Sequence, residues 1–239
     1  MDQLLQKGIM ISMENEKIKL SPFMKNKEKK EEEKREVVLS IKDLHKSYGK
    51  KEVLKGINLE VYKGEVFGFI GKNGAGKSTT IDCIVGLKDF NSGEIVLAGH
   101  NVKENPLDAK MELGYVPSEP VTYEVMTGNE YPHGMKQKVC LMASLIHNPT
   151  IWILDEPTVG LDIIVYQTLM DMLREFAANG KTVFITSHNI DLVSRICNRV
   201  AIINNGVVAE LIDFSKEPLK RRNLSNIFFS TYAVEKKPE

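Results

Sequence analysis

The stretch GEVFGFIGKNGAGKST, residues 64–79, decides the fold of this chain. Its first half contains a short, nearly continuous apolar run from Val66 to Ile70, as expected for a central strand covered on both faces. Its second half, Gly71–Thr79, fits the pattern G-x-x-x-x-G-K-[S/T]. The overlapping segment TTIDCIVGL can form a helix. A buried strand, a glycine-rich loop and a helix in this order predict a phosphate-binding loop, or P-loop.

Each residue type in this loop has a physical reason to be there. Glycines let the loop wrap so that its backbone N–H groups point inward at phosphates, and the helix that follows aims its positive N-terminal end at the same place. Lys77 can reach the β- and γ-phosphates, and Ser78 offers a hydroxyl to Mg²⁺. The predicted ligands are ATP and Mg²⁺, and the predicted binding residues are Gly71, Lys72, Asn73, Gly74, Ala75, Gly76, Lys77, Ser78 and Thr79.

The rest of the chain alternates strand and helix patterns. Buried-strand runs recur at 151–154, 182–185 and 200–203. Between the first two, apolar residues at helical spacing predict a helix that ends near Gly180. Upstream, residues 37–48 and 57–61 alternate with the period of half-buried strands, and NNG at 204–206 is typical of a hairpin turn. This order predicts an α/β fold with a mostly parallel sheet.

Four further residues are candidates for chemistry because of their place in the sequence. Asp155 and Glu156 follow the apolar strand of TIWILDEP, at the strand end where α/β folds bind ligands. Asp155 would hold the Mg²⁺ shell, and Glu156 would orient or polarise the attacking water. His188 lies just past another strand and could reach the γ-phosphate, and Tyr48 could stack on an adenine ring. Alone, such residues are commonly surface acids, an exposed histidine and a half-buried tyrosine; after a P-loop they become functional candidates.

Composition and charge restrict the partners and the cellular location that we expect for the chain. The chain has 239 residues, 42% of them hydrophobic, with 32 basic and 32 acidic residues. A net charge of zero gives no general attraction to nucleic acid, so no nucleic-acid partner is expected. The three cysteines, Cys83, Cys140 and Cys197, lack disulfide or metal spacing, which favours a reducing cytosol. No run approaches the roughly 18 apolar residues that would cross a bilayer, and no secretory signal is evident at the start. We therefore expect a cytoplasmic protein.

Together and in this order, the motifs resemble those of the ATP-binding-cassette (ABC) family. The resemblance runs from about Val37 to Glu210. The variants GYVP-x-E-P, HGMKQK and DEPTVGLD look most like ATPase subunits of bacterial drug-export or antibiotic-resistance exporters. The matching segments are Tyr48, Gly71–Ser78, the signature-helix segment HGMKQKVCLMASLIHNP (133–149), ILDEPTVGLD (153–162) and Ser187-His188.

The resemblance implies a P-loop NTPase fold with an antiparallel β subdomain at its N-terminal side. The mixed-charge block that ends residues 1–36 predicts a flexible charged arm, followed by an ATP-binding domain (37–212) and a C-terminal tail (213–239). Two such subunits, identical or different, would close face to face around ATP, with Gly134 of the signature segment and Asp162 contributing across the dimer. Closure and ATP hydrolysis would drive a transmembrane permease, with this chain peripheral on the inner face of the cell membrane.

The sequence departs from the family pattern at three places. Ser118 stands where a phosphate-sensing glutamine is usual, although the neighbouring Glu119 could substitute, and Pro132 stands where the signature motif offers a serine. Only fifteen residues separate Ser118 from Gly134, whereas a subdomain of four helices would need roughly fifty. The helical subdomain is thus expected to be largely absent, with a junction near 131–132, through an internal deletion or because residues are missing from the sequence.

These departures keep two other functions open. One is a nucleotide-binding module of regulatory or vestigial character, which holds Mg-ATP without efficient hydrolysis or coupling to transport. The other, less supported, is a DNA-repair or translation ATPase of the same superfamily. Those relatives usually carry coiled coils, paired cassettes or basic arms, and none is evident here.

Overall fold

The computed structural model of the chain describes residues 35–119, 133–158 and 161–233. The predicted arm at 1–36, except for its last two residues, and the predicted junction at 131–132 lie outside this part. The described strands are β1 (Val37–Tyr48), β2 (Lys51–Tyr62), β3 (Val66–Ile70), β4 (Ser92–Leu97), β5 (His100–Asn101), β6 (Leu113–Val116), β7 (Ile151–Asp155), β8 (Thr182–Ser187), β9 (Arg199–Asn204) and β10 (Val207–Asp213). The described helices are α1 (Lys77–Ile84), α2 (Pro106–Met111), α3 (His133–Ala143), α4 (Ile163–Ala178), α5 (Ile190–Ile196), α6 (Pro218–Arg222) and α7 (Leu224–Ala233).

The N-terminal part folds as an antiparallel sheet of four strands in the order β2-β1-β4-β5. Alternation in β1 places Leu39 and Ile41 in the core, because successive side chains of a strand point to opposite faces. A register shift between Ile41 and Leu44 brings Leu44 to the core as well. The predicted antiparallel subdomain is confirmed.

The second sheet has six strands in the order β10-β9-β3-β8-β7-β6. The strands from β9 to β6 run parallel, and β10 pairs antiparallel with β9. The central strand β3 is buried on both sides: Phe67 and Phe69 pack on one face, and Val66 and Ile70 on the other. This double burial explains why the strand reads as an unbroken apolar run rather than an alternating one.

The six-stranded sheet lies between two layers. The first sheet and α1 share one hydrophobic cluster with one face, while α4, α5 and α7 share the cluster of the other face. Helix α4 confirms the helix predicted before Gly180, with Leu169 and Leu173 fully buried. The parallel strands therefore all end at one edge of the six-stranded sheet, and the candidate residues lie at that edge.

The last described elements belong to the folded body. Helix α7, within the segment predicted as a tail, buries Leu224 and Phe228 against the cluster that includes β3 and β9. Between β6 and α3 the chain has only the sixteen residues 117–132. In the described residues no helix combines the length and the apolar character needed to span a bilayer.

Candidate functional site

The P-loop joins the carboxyl end of β3 to α1. Gly76 stands at the N-cap of α1 with φ 116°, and Gly74 has φ 81°, backbone conformations that favour glycine. A Cβ on Gly71 would lie 2.7 Å from both the carbonyl oxygen and the Cγ2 of Ile203, so the loop passes too close to β9 for any side chain there. The loop therefore owes its path to these glycines.

Lys77 points back into the loop that it follows. Its Nζ donates to the carbonyl oxygens of Gly71, at 2.7 Å, and Lys72, at 3.3 Å, and lies 3.8 Å from Glu156 Oε1. The side chain is only 6% exposed. Burial lowers the pKa of Lys77, and the carboxylates of Glu156 and Asp155 partly oppose that shift. A desolvated cation at this point is suited to a highly charged anion.

The acidic pair at the end of β7 is fixed by Thr186 of the neighbouring strand β8. The Thr186 hydroxyl donates to Asp155 Oδ1 at 2.5 Å, and Thr186 accepts the Glu156 N–H at its hydroxyl (3.0 Å) and its carbonyl (3.2 Å). Glu156 itself has φ 48°, an unusual conformation for a residue with a side chain. One threonine thus holds the carboxylate of Asp155 and the backbone of Glu156.

His188, just beyond β8, meets the same carboxylate. Its backbone N–H donates to Glu156 Oε2 at 3.2 Å, and its Nδ1 lies 2.9 Å from that oxygen. Glu156 therefore lies between the ammonium of Lys77 and the ring of His188. The structure brings together the two predicted catalytic residues and the P-loop lysine, from three different segments of the chain.

A cavity of about 580 Å³ opens beside this group. Its floor is the P-loop and the first turn of α1, with Glu156 at the side. The part of the loop that lines it is Asn73, Gly74, Gly76, Lys77, Ser78 and Thr79. The other predicted loop residues, Gly71, Lys72 and Ala75, do not line the cavity. Gly71 and Lys72 supply the carbonyl groups that hold Lys77.

The opposite wall was not predicted from the sequence. It consists of Lys51, Glu52, Val53 and Lys55 of β2, together with Asn205 in the turn between β9 and β10. The period-two pattern and the NNG turn predicted both elements, but neither signal shows that they meet at the P-loop. Thr186 was also missed, since a threonine inside a buried strand carries no distinctive pattern.

Main-chain hydrogen bonds tie this wall to the loop. The Lys55 N–H donates to the Gly206 carbonyl at 2.9 Å, and the Gly206 N–H donates to the Ala75 carbonyl at 3.1 Å. Gly206 has φ 82°, and a Cβ there would clash with the Val53 carbonyl. We call this series of contacts the backbone brace. It connects β2, the β9–β10 turn and the P-loop without the help of a side chain.

Tyr48 lies apart from the residues that line the cavity. It is 44% exposed. The Nζ atoms of Lys46 and Lys88 lie 5.0 Å and 5.6 Å from the centroid of its ring. Its hairpin partner Lys51 does line the cavity. Stacking of Tyr48 on an adenine ring therefore stays a prediction.

The two residues expected to act across a dimer are placed on helices. Gly134 lies in the first turn of α3. Asp162 caps α4: its Oδ1 accepts the N–H groups of Ile164 and Val165, both at 2.9 Å. The predicted contacts of both residues with a partner subunit remain predictions.

Comparison with known proteins agrees with this geometry. The profile of the ABC transporter family matches residues 54–131, and that of an AAA domain described as a putative AbiEii toxin of a type IV toxin–antitoxin system matches residues 119–194. The lantibiotic transport ATP-binding protein of Streptococcus pyogenes is 32% identical over 232 residues, which cover 84% of this chain and all of that protein. The chain belongs to the ABC transporter ATP-binding family.

Other relatives of this ABC protein support the assignment. The linearmycin resistance ATP-binding protein of Bacillus subtilis is 32% identical over 208 residues, covering 71% of this chain and 67% of the relative. A solved ATP-binding subunit of an ABC transporter has a TM-score of 0.76 at 26% identity, over 82% of this chain and 99% of its own. An ATP-binding cassette solved as a dimer with ADP and phosphate shares the fold, with a TM-score of 0.65 and 22% identity over 73% of this chain and 98% of its own.

The alignment with the lantibiotic protein also shows a difference in length. In the match to the lantibiotic protein, 84% of this 239-residue chain is about 200 residues, whereas the alignment has 232 positions. The relative therefore carries residues that have no counterpart in this ABC protein.

Proposed function

We propose that this ABC protein hydrolyses ATP in the cavity beside Lys77 and, paired with a second ATP-binding subunit on the inner face of a membrane, drives a permease. Export is the favoured direction, because the relatives include proteins named for linearmycin resistance, lantibiotic transport and bacitracin transport. The cargo would be chosen by the permease.

One observation carries the proposal: the Glu156 carboxylate lies between Lys77 and His188 at the edge of the P-loop. Attack of water on a γ-phosphate needs a group that orients the water and accepts its proton. Glu156 is 15% exposed and is fixed by two contacts with His188, so it can meet water from the cavity without swinging away. Lys77 lies on its other side, where phosphate charge would be held.

The oxygen atoms near the loop fit Mg²⁺. Ser78 is exposed in the first turn of α1 and lines the cavity, and Asp155 is a buried carboxylate with Oδ1 engaged by Thr186. Hard oxygen donors of this kind, few in number, suit a magnesium ion that also binds phosphate. When bound there, Mg²⁺ would neutralise charge on the β- and γ-phosphate oxygens.

Steady-state phosphate release tests the proposal. We expect Glu156→Gln to lose turnover by about 10²- to 10⁴-fold, the usual range for a lost general base, while still binding ATP. Lys77→Ala should lose binding itself. The matched control is Glu94→Gln, the same chemical change at an exposed carboxylate of β4 that pairs with Lys42; it should keep full turnover.

The short connection before α3 favours a second candidate, a module that binds Mg-ATP but does not couple it to transport. The same assay separates the two functions. Wild-type protein that binds Mg-ATP, yet releases phosphate no faster than Glu156→Gln, would support the binding module and contradict the ATPase.

A further inference from the structure

The end of α7 contacts the P-loop. The Tyr232 hydroxyl accepts the backbone N–H of Lys72 at 2.9 Å and donates to the carbonyl oxygen of Ile203 at 2.5 Å. The Lys72 Nζ also lies over the Tyr232 ring, 4.3 Å from its centroid. One phenol side chain thus joins the beginning of the phosphate-binding loop to the strand beside it.

The contact continues to the P-loop lysine. The carbonyl oxygen of Lys72, whose N–H is held by Tyr232, is one of the two that accept a hydrogen bond from Lys77 Nζ. The other belongs to Gly71, whose missing side chain would lie 3.1 Å from the Tyr232 hydroxyl. The Lys72 N–H and the Gly71 carbonyl belong to the same peptide group, so movement of the Tyr232 hydroxyl would shift a peptide group that holds the Lys77 ammonium.

Helix α7 is anchored well enough to act as a support. Leu224 is 1% exposed and Phe228 6%, and the Phe228 and Tyr232 rings pack with centroids 5.1 Å apart. Next to Tyr232, at the C-terminal end of the helix, the Thr231 carbonyl accepts a hydrogen bond from the Asn204 side-chain amide at 3.3 Å. Asn204 directly precedes the turn residue Asn205, which lines the cavity. The helix thus contacts both the loop and the segment that forms the opposite wall.

We propose that Tyr232 is a positioning residue of the P-loop, through which the packing of α7 and the binding of nucleotide are linked. A loop already held in its binding conformation loses less conformational freedom when phosphate binds. Linkage is reciprocal, so bound nucleotide must stabilise the packing of α7 by the same factor by which α7 tightens nucleotide binding. The inference rests on the proposed function in so far as it requires nucleotide to bind in this cavity.

The first test removes only the hydroxyl. Tyr232→Phe keeps the ring against Phe228 but leaves the Lys72 N–H without its phenol acceptor. We expect the dissociation constant of a non-hydrolysable ATP analogue with Mg²⁺ to rise about three- to tenfold, the size of one hydrogen bond. Tyr166→Phe is the matched control, since no described contact involves its hydroxyl; its affinity should stay within about twofold, below the cost of one hydrogen bond.

The second test reads the linkage from the other side and does not depend on a variant that folds. Hydrogen exchange of the amides of α7 should slow when the ATP analogue and Mg²⁺ bind to the wild-type protein. Where Tyr232→Phe folds, the slowing should be smaller in that variant. If the role of Tyr232 were purely structural, Tyr232→Phe would lower the thermal midpoint of the nucleotide-free protein without changing its affinity for the analogue.

Two outcomes would overturn the inference. One is an unchanged affinity in Tyr232→Phe, and the other is α7 exchange in the wild type that is the same with and without nucleotide. Wild-type protein that fails to bind the analogue at all would overturn the proposed function together with this inference. Normal wild-type binding with either of the first two results would overturn this inference alone.

Discussion

Arg199 and Glu65 form a buried ion pair that links the two sheets, and its removal gives the most direct test of the packing. Arg199 Nη1 donates to Glu65 Oε1 at 2.9 Å and to the Glu60 carbonyl at 3.1 Å, and its guanidinium carbon lies 4.6 Å from the Tyr62 ring centroid. The two side chains are 6% and 7% exposed. Arg199→Met would leave the Glu65 carboxylate buried without this cation, which costs about 3–5 kcal/mol.

That cost is a large part of the roughly 5–15 kcal/mol that stabilises a typical domain. Urea unfolding, followed by the fluorescence of the single tryptophan, Trp152, would measure it. Arg174→Met, which breaks the exposed pair with Asp171, is the control and should cost less than about 1 kcal/mol. Glu65→Gln in the Arg199→Met background should recover part of the loss. A loss below about 1 kcal/mol for Arg199→Met, or strict additivity of the two changes, would refute the reasoning.

Three further predictions concern single side chains. Ser144→Ala removes the acceptor of the buried Trp152 Nε1–H, 3.0 Å away. The free energy of unfolding should fall by about 1–3 kcal/mol in the same urea assay. Ser230→Ala, at an exposed serine, is the control, and equal losses in the two variants would contradict the reasoning. Burial raises the pKa of all three thiols, but Cys140 is the least buried, so Ellman's reagent should modify it first in native protein and reach the others only on unfolding; equal rates would count against the fold. Burial lowers the pKa of Lys77, so between this lowered pKa and the ordinary lysine pKa the unfolded chain binds more protons than the folded chain. The free energy of unfolding of the nucleotide-free protein should therefore increase as pH rises toward the ordinary lysine pKa. Phosphate favours the charged amine, so ATP affinity should fall over the same range; affinity and thermal midpoint that rise together would contradict this.

The features readable from the sequence are those that depend on local spacing. The run at 66–70 identified the central strand because burial on both faces demands apolar residues without a break. The spacing from Leu169 to Phe176 identified α4, because its apolar residues recur with the period of a helix. The P-loop and the acidic pair at Asp155 were recognised because the geometry of phosphate binding fixes both residue type and order.

What the sequence did not disclose depends on how distant segments pack. Tyr232 and Lys72 are 160 residues apart, and no periodicity connects a C-terminal helix with a glycine-rich loop. The cavity wall formed by β2 requires the two sheets to meet, which depends on the tertiary fold. Tyr48 was a candidate for adenine stacking; its ring lies beside Lys46 and Lys88, contacts that the sequence pattern does not reveal, and the stacking remains a prediction.

The backbone brace has a consequence for how freely this protein can diverge. Its hydrogen bonds are made by peptide groups, so exchanging the exposed side chain of Lys55 leaves the N–H in place and the support intact. Gly206 has no such freedom, since its backbone is left-handed and a Cβ would strike β2. In a saturation library selected for folded protein, position 55 should therefore accept most amino acids other than proline, while position 206 should retain glycine almost alone.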